Sequence, residues 1–472
     1  MNNQVYFLLL IVFTFVACSD IKMSAIFSDN MVLQQQSQVA VWGWTKPNTK
    51  VRVVGSWDNK KYTVRSDVKG YWRLKVETPA AGFTPYTLTI SAGKSVTLKN
   101  ILIGEVWLCS GQSNMEMPMK GFHFEGYDYE PVDEGPESIA TSENFGIRCF
   151  TVRKRSKAAP QDDCRGSWKL ANPQNTPSFT ATGYFFARLI NQELNVPVGL
   201  IHSSWSASRI EAWMTPNSLK DIPEKIIPSS DDEISIEYQT PTVLYNGMIH
   251  PIVGYGIRGV LWYQGESNRD EPDLYVNMFD KMVREWRNLW DVGEFPFYYC
   301  QIAPVNRSDE INSAFFREAQ AKGMISTPNT GMAVLMDTES PDLIHSPKKR
   351  DAGERLAFWA LAKTYGIENV PYRSPEFQSL EIEGHVAVLT FDLPAEPGLT
   401  TFGKEIKNFI ISGSDKKFFP AKATYSGNKV FVSSPSVTKP VAVRYCWDNV
   451  SATELFSIEG DLPVSSFRTD RW

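Results

Sequence analysis

The segment Ile101-Leu-Ile-Gly-Glu-Val-Trp-Leu-Cys-Ser-Gly-Gln-Ser-Asn114 decides how the chain is read. Its apolar run is long enough for a buried strand, and its polar end places Ser113 just beyond that strand. An α/β-hydrolase elbow would read G-x-S-x-G. Here the second glycine is missing, so Ser113 is either a nucleophile presented in another way or a polar turn residue.

Similar apolar runs recur downstream at Val198–Ser203, Ile257–Tyr263, Phe297–Ala303 and Gly331–Asp337. Helical periods separate them, over Thr182–Leu194, Leu274–Trp290, Ser313–Ile325 and Lys348–Tyr365, the last closed by Gly366. Strand–helix alternation predicts an α/β domain over 101–370 with a parallel sheet and helices on both faces. Residues 19–100 alternate with period two and carry turn signals, which predicts a small antiparallel β-sandwich. Residues 371–472 return to short strands, a second accessory β region. The polar segment Gly121–Gly166, with Phe122, His123, Phe124, Tyr127 and Tyr129, reads as a surface loop or a sugar-gripping one.

Val5–Ala17 is apolar except for Thr14 and too short to span a membrane as a helix. Residues 1–18 therefore read as a secretory signal. Phe15-Val-Ala-Cys18 is similar to a lipoprotein cleavage box, so Cys18 is a candidate lipid anchor on a secreted or periplasmic protein. Five other cysteines, with no C-x-x-C, do not make a disulfide framework. Cys149 and Cys164 would pair only across a hairpin; buried thiols are the simpler expectation. The net charge of −5 and the lack of a long basic run argue against nucleic acid or an anionic membrane surface as partner.

In a parallel sheet, ligands bind beyond the carboxyl ends of the strands. Four polar segments fall there: Ser110–Asn114, Ser203–Ser208, Gln264–Asn268 and Thr338–His345. The five histidines have no metal-binding spacing, so neither metal nor cofactor is expected. A serine nucleophile needs a base, and His345 stands at the right place, with Asp342 three residues before it to fix its tautomer. Oxyanion donors are sought at the Ser113 N–H, near Ser206 and Ala207, and at the Gln264 amide. Gln112 and Asn114 flank the serine and are candidate substrate contacts, as is Arg209, which would suit a sugar carboxylate or a structural ion pair. Glu266 could orient the base, brace its loop, or join Asp342 as a glycosidase pair.

Gly111-Gln-Ser-Asn-Met115, Trp262-Tyr-Gln-Gly-Glu-Ser-Asn268 and Asp342-Leu-Ile-His345 resemble the sialate O-acetylesterase family of SGNH-type carbohydrate acetylesterases. Ala25-Ile-Phe-Ser-Asp-Asn-Met-Val-Leu-Gln34, Val198-Gly-Leu-Ile-His-Ser-Ser-Trp205, Ile210-Glu-Ala-Trp213, Leu244-Tyr-Asn-Gly-Met-Ile-His-Pro251 and Arg444-Tyr-Cys-Trp447 extend the resemblance along the chain. It implies a flavodoxin-like domain with accessory β structure and a cofactor-free enzyme acting on an acetylated carbohydrate, most typically O-acetylated sialic acid. By position, Ser113 would be nucleophile, His345 base, Asp342 its partner and Gln264 an oxyanion donor. Acetylated xylan, another glycan, or a degenerate carbohydrate-binding protein remain the alternatives. Where the family commonly has Ser-Trp-Gly-Gly-Thr, this chain has Ser204-Trp-Ser-Ala-Ser208. A positive φ would be costly there for Ser206 or Ala207.

Overall fold

The computed structural model describes residues 21–123, 129–307, 309–340, 342–393 and 398–472. The predicted signal, Cys18, Phe124 and Tyr127 lie outside the described residues. Among the described residues, no helix is long and apolar enough to cross a membrane.

The segment around Ile101–Asn114 forms the longest strand, β1, Lys94–Gly111. Around it lie β2 (Asn144–Thr151), β3 (Trp168–Ala171), β4 (Val198–Ser204), β5 (Gly259–Tyr263), β6 (Phe297–Cys300) and β7 (Thr330–Ala333). Their order in the sheet is β3-β2-β4-β1-β5-β6-β7. All neighbours pair in parallel except β3, which runs antiparallel to β2. The path β4-β1-β5-β6-β7 has flavodoxin-like order, with β1 at the point where the winding reverses.

Four helices cover this sheet: α1 (Ala181–Leu194), α2 (Pro272–Trp290), α3 (Ser313–Ser326) and α4 (Lys349–Trp359). Along β1, alternate side chains enter opposite layers. Trp107 and Cys109 join Phe185, Phe186, Leu356 and Ala357 of α1 and α4. Val106 and Leu108 join the layer of Met278, Phe279, Trp286 and Phe316 from α2 and α3. Both faces of the strand are thus buried, which is why its sequence is an unbroken apolar run rather than an alternating one. The helical period predicted after Lys348 is α4 followed by a π-helical turn, Ala360–Thr364, and Gly366 takes a positive φ of 68°.

The amino-terminal half of β1 belongs to a different environment. It pairs antiparallel with Gly82–Ala92, and its middle pairs parallel with Val32–Gln34. Gly82–Ala92 in turn carries Lys50–Gly55 and Lys61–Arg65. A second sheet, Lys22–Met23, Gln38–Trp44 and Tyr71–Glu77, packs on it through Val41, Trp72 and Val76. One continuous strand therefore crosses residue 100, where the sequence pattern changes from alternating to apolar. One strand, β2, lies inside the span Gly121–Gly166 read as a loop, and the helix Gly135–Ala140 precedes it. Cys149 and Cys164 do not pair; the five described cysteines are all free and buried.

The carboxyl-terminal strands form two main four-stranded sheets, one around Val386–Asp392 and one around Ala442–Tyr445. The second docks on α3 through Arg317, whose side chain is fully buried. Its Nε donates to Ser466 Oγ at 2.9 Å, and a second guanidinium nitrogen donates to the carbonyls of Cys446 and Asp448 at 3.2 and 2.5 Å. Burial pulls its pKa down to about 10, which leaves it charged at neutral pH. Replacing Arg317 by Met removes these bonds and strands two acceptors. We expect the unfolding free energy to fall by about 3 kcal/mol. Exposed Ile325→Ala should change it by less than about 0.5 kcal/mol. Denaturant titration of both variants checks the contrast.

Candidate active site

β1 ends at Gly111, which has φ 132°; a Cβ there would sit 2.2 Å from the Tyr263 carbonyl oxygen of β5. Only glycine permits this approach. It lets the Gln112 N–H donate to the same oxygen at 2.9 Å. The chain then turns into a single helical turn, Ser113–Glu116. Ser113 opens that turn and is 4% exposed. The N–H groups of Ser113 and Asn114 donate to no other described residue.

Asn114 is 1% exposed and reaches three segments at once. Its Nδ2 donates to Glu266 Oε1 at 2.5 Å and to the Ile344 carbonyl at 3.2 Å. Its Oδ1 accepts from Lys349 Nζ at 2.5 Å. Thus the serine loop is joined to the loop after β5, to α4, and to the residue directly before His345. The sequence suggested Asn114 as a substrate contact; instead its side chain is spent on holding the site.

His345 Nδ1 is 2.6 Å from Glu130 Oε2. Phe122 lies edge-on to the imidazole at 5.0 Å between ring centroids. Phe122 and Glu130 are themselves a bridged pair: each backbone N–H donates to the other's carbonyl, at 2.9 and 3.0 Å. This pair forms the base of the aromatic segment and presents a ring and a carboxylate to the histidine. Asp342, expected to hold the imidazole, is exposed and is not bonded to it. The local D-x-x-H spacing is therefore superseded by a carboxylate 215 residues away in sequence. No spacing rule points to Glu130; only the fold reveals it.

The remaining candidates divide clearly. Gln264 is fully buried, and both its amide hydrogens are engaged, with Ser208 O at 3.1 Å and Asn268 Oδ1 at 2.7 Å. It braces two loops and has no N–H left for an oxyanion; its Oε1 has no partner among the described residues. The Ser206 N–H and hydroxyl both donate to Glu116 Oε2, at 2.6 and 2.9 Å. Ala207 does take the left-handed conformation, with φ 58°, and its N–H is free of any described acceptor. Gln112 Oε1 accepts from the N–H groups of Gly265 and Ser267 at 3.2 and 3.4 Å, tying the serine loop to the loop after β5. Arg209 is held by Glu211 at 3.0 Å, Asp270 at 3.1 Å and Glu271 at 2.5 Å, the structural ion-pair arrangement. Glu266 bonds Asn114, and its Oε2 is buried with no partner among the described residues.

Two further bases are buried. His202 Nε2 is 2.6 Å from Ser204 Oγ, and burial pulls its pKa to about 4, so it stays neutral. Lys349 is 1% exposed. Burial lowers its pKa to about 8, opposed by nearby Glu266, Cys300 and Glu130. Its ammonium also lies 5.6 Å from the Tyr263 ring centroid.

The sign of the Lys349 effect follows from linkage. Between about pH 8 and the unfolded value of 10.5 the unfolded chain holds a proton that the folded one has lost, so stability rises with pH. Compared with Lys349→Met, the wild type should gain about 2 kcal/mol of unfolding free energy from pH 8 to pH 10. Unfolding curves of the two proteins at both pH values test this; a constant difference contradicts the buried ammonium.

Comparison with known proteins places this geometry in context. The family model for carbohydrate esterases described as sialic acid-specific acetylesterases matches residues 103–361, more than half of the chain. The sialate O-acetylesterases of Mus musculus and Homo sapiens are each 28% identical to it, over 90% of this chain and 89% and 87% of theirs. The crystal structure of a carbohydrate acetylesterase from Xanthomonas citri is 37% identical, with a TM-score of 0.86, over 96% of this chain and all of that one. A flavodoxin-like sheet with Ser113 beyond its central strand, extended by β structure at both ends, is a carbohydrate esterase, and the chain belongs to the family of sialic acid-specific acetylesterases.

Proposed function

We propose that the chain removes acetyl groups from sugars by a serine mechanism, with O-acetylated sialic acid as the preferred substrate. The observation that carries the mechanism is the bond from Asn114 Nδ2 to Ile344 O, which fixes the residues next to Ser113 and His345 against each other. The sialic acid assignment is supported by the family model and by the curated relatives.

In this reading His345 carries its proton on Nδ1, donated to Glu130, which leaves Nε2 as the base. Ser113 Oγ attacks the acetyl carbonyl carbon while its proton passes to Nε2. The positive charge on the imidazolium is stabilised by the Glu130 carboxylate. Negative charge on the carbonyl oxygen is met by the N–H of Ser113 and that of Ala207, the two sought donors still unspent. The tetrahedral intermediate expels the sugar oxygen, protonated by His345, and leaves Ser113 acetylated. Water, deprotonated by the same histidine, then attacks the acetyl-serine, and acetate departs with Ser113 restored.

The apolar run Val5–Ala17 supports export, with Cys18 as a point of lipid attachment at the cell envelope.

Acetate release from O-acetylated sialic acid and from acetylated xylan oligosaccharides tests the assignment. We expect faster turnover of the former; turnover confined to xylan would transfer the assignment to plant glycan. Ser113→Ala should retain its circular dichroism spectrum and lose about 10⁴-fold or more in kcat. Glu130→Gln should lower kcat by about 10³–10⁴-fold, because the imidazole loses its tautomer and its counter-charge. Asp342→Asn should have a mild effect; a reversed order would return the orienting role to Asp342.

A further inference from the structure

Beyond β2 the chain reads Arg153-Lys-Arg-Ser-Lys157; the Arg153 N–H donates to the Arg165 carbonyl at 2.8 Å, and Lys169 pairs with Cys149 on β2. These residues line two cavities of about 570 and 470 Å³ that share Arg153, Cys164 and Arg165 in their walls. In a chain with net charge −5, so many cations in one cleft require an explanation. Several other arginines are spent inside the protein: Arg258 on Glu105, Arg269 on Asp309, Arg355 on Asp337 and Arg444 on Asp470, and Arg148, Arg287 and Arg317 on backbone carbonyls. Arg153, Arg155, Lys157, Arg165 and Lys169 form no ion pair with any described carboxylate. The acids nearest in sequence are engaged elsewhere. Asp163 is taken by Lys22, Ser24 and the Ala25 N–H, each at 3.0 Å, and Asp162 lines a separate cleft with Trp44 and Tyr71.

The cleft adjoins the active site. Lys154, at its edge, is 2.6 Å from Glu116 Oε1 and 5.5 Å from the Trp205 ring centroid. Glu116 closes the helical turn that Ser113 opens, and its other oxygen holds Ser206. β2 and β1 are separated only by β4. At about 4.8 Å per strand, the basic rim lies about 10 Å to the side of Ser113.

We propose that this cleft binds the carboxylate of a sugar neighbouring the acetylated one, so that the substrate is an acidic oligosaccharide rather than a single sugar. Guanidinium forks match carboxylates in two-point contacts, and arginines without an internal acid are open to such a ligand. The lateral offset from Ser113 suits a charge on an adjoining residue rather than on the sugar being deacetylated. A concave site of this kind follows a chain, whereas a flat face would suit a membrane surface. The identity of the ligand as a glycan rests on the acetylesterase reading.

The test is a calorimetric titration of the full chain with a sialic acid trimer that carries no O-acetyl ester, beside a neutral N-acetylglucosamine trimer. The acidic trimer should bind, more weakly as salt rises. The double variant R153A/R165A should raise its Kd about ten-fold or more, and R153K/R165K should recover most of the loss. Absent binding, equal affinity of wild type and R153A/R165A, or preference for the neutral trimer would overturn the proposal. So would capture of anionic phosphatidylglycerol vesicles or duplex DNA without the trimer. Acetate release by the wild type reports separately: release without trimer binding refutes the cleft alone, and binding without release refutes the activity alone.

Discussion

The site depends on one buried carboxamide. Asn114 gives its donor to Glu266 and Ile344 and its acceptor to Lys349, so its side chain has little left for any ligand. Leaving such a buried group unpaired costs about 1–3 kcal/mol. The serine loop, the loop after β5, the histidine loop and the start of α4 therefore adopt their positions together or not at all. Glu266 and Lys349, on opposite ends of the amide, place a buried charge pair across it. Neither charge would be tolerated alone at this depth. Their pairing explains how a titratable lysine comes to lie fully buried in contact with Asn114, the residue after Ser113.

The frame beneath is a parallel sheet with its winding reversed at β1. That reversal sends the connections leaving β1 and β5 into opposite layers, and a space opens above the strand ends between them. Gly111 lets β1 come against the β5 backbone, so the serine is presented by a turn rather than by the strained elbow of the α/β-hydrolases. Because β1 continues backward into the amino-terminal sheet, the same strand that carries Ser113 at one end is anchored in a second hydrophobic layer at the other. The accessory β structure thereby stiffens the strand that carries Ser113 directly.

How much of this was legible in the sequence varies with the range of the interaction. The strands after residue 100 and their helices could be read because each buries both faces or one stripe, and the apolar period records that. Ser113 and His345 could be placed because they follow strands. The carboxylate that meets His345 could not, because Glu130 reaches it through a bridge with Phe122 inside a segment of polar and aromatic residues that carries no period. Gln264 misled for another reason. A glutamine at a strand end is as well suited to brace as to donate, and only the positions of Ser208 and Asn268 decide. The same holds for Arg209, where Asp270 and Glu271 lie too far along the chain for a local rule. Ala207 was foreseen as a costly positive φ, and the structure places it there, at 58°.

The account has one central claim: Ser113 is activated by His345 across loops that Asn114 holds together. A fluorophosphonate reacts with a serine only when a base withdraws its proton, so its rate of attachment reads that coupling without needing the natural substrate. Mass spectrometry of peptides from the labelled protein locates the adduct. The account predicts a single adduct on Ser113 that His345→Ala suppresses. An adduct elsewhere, or labelling of Ser113 at the same rate in His345→Ala, would contradict it.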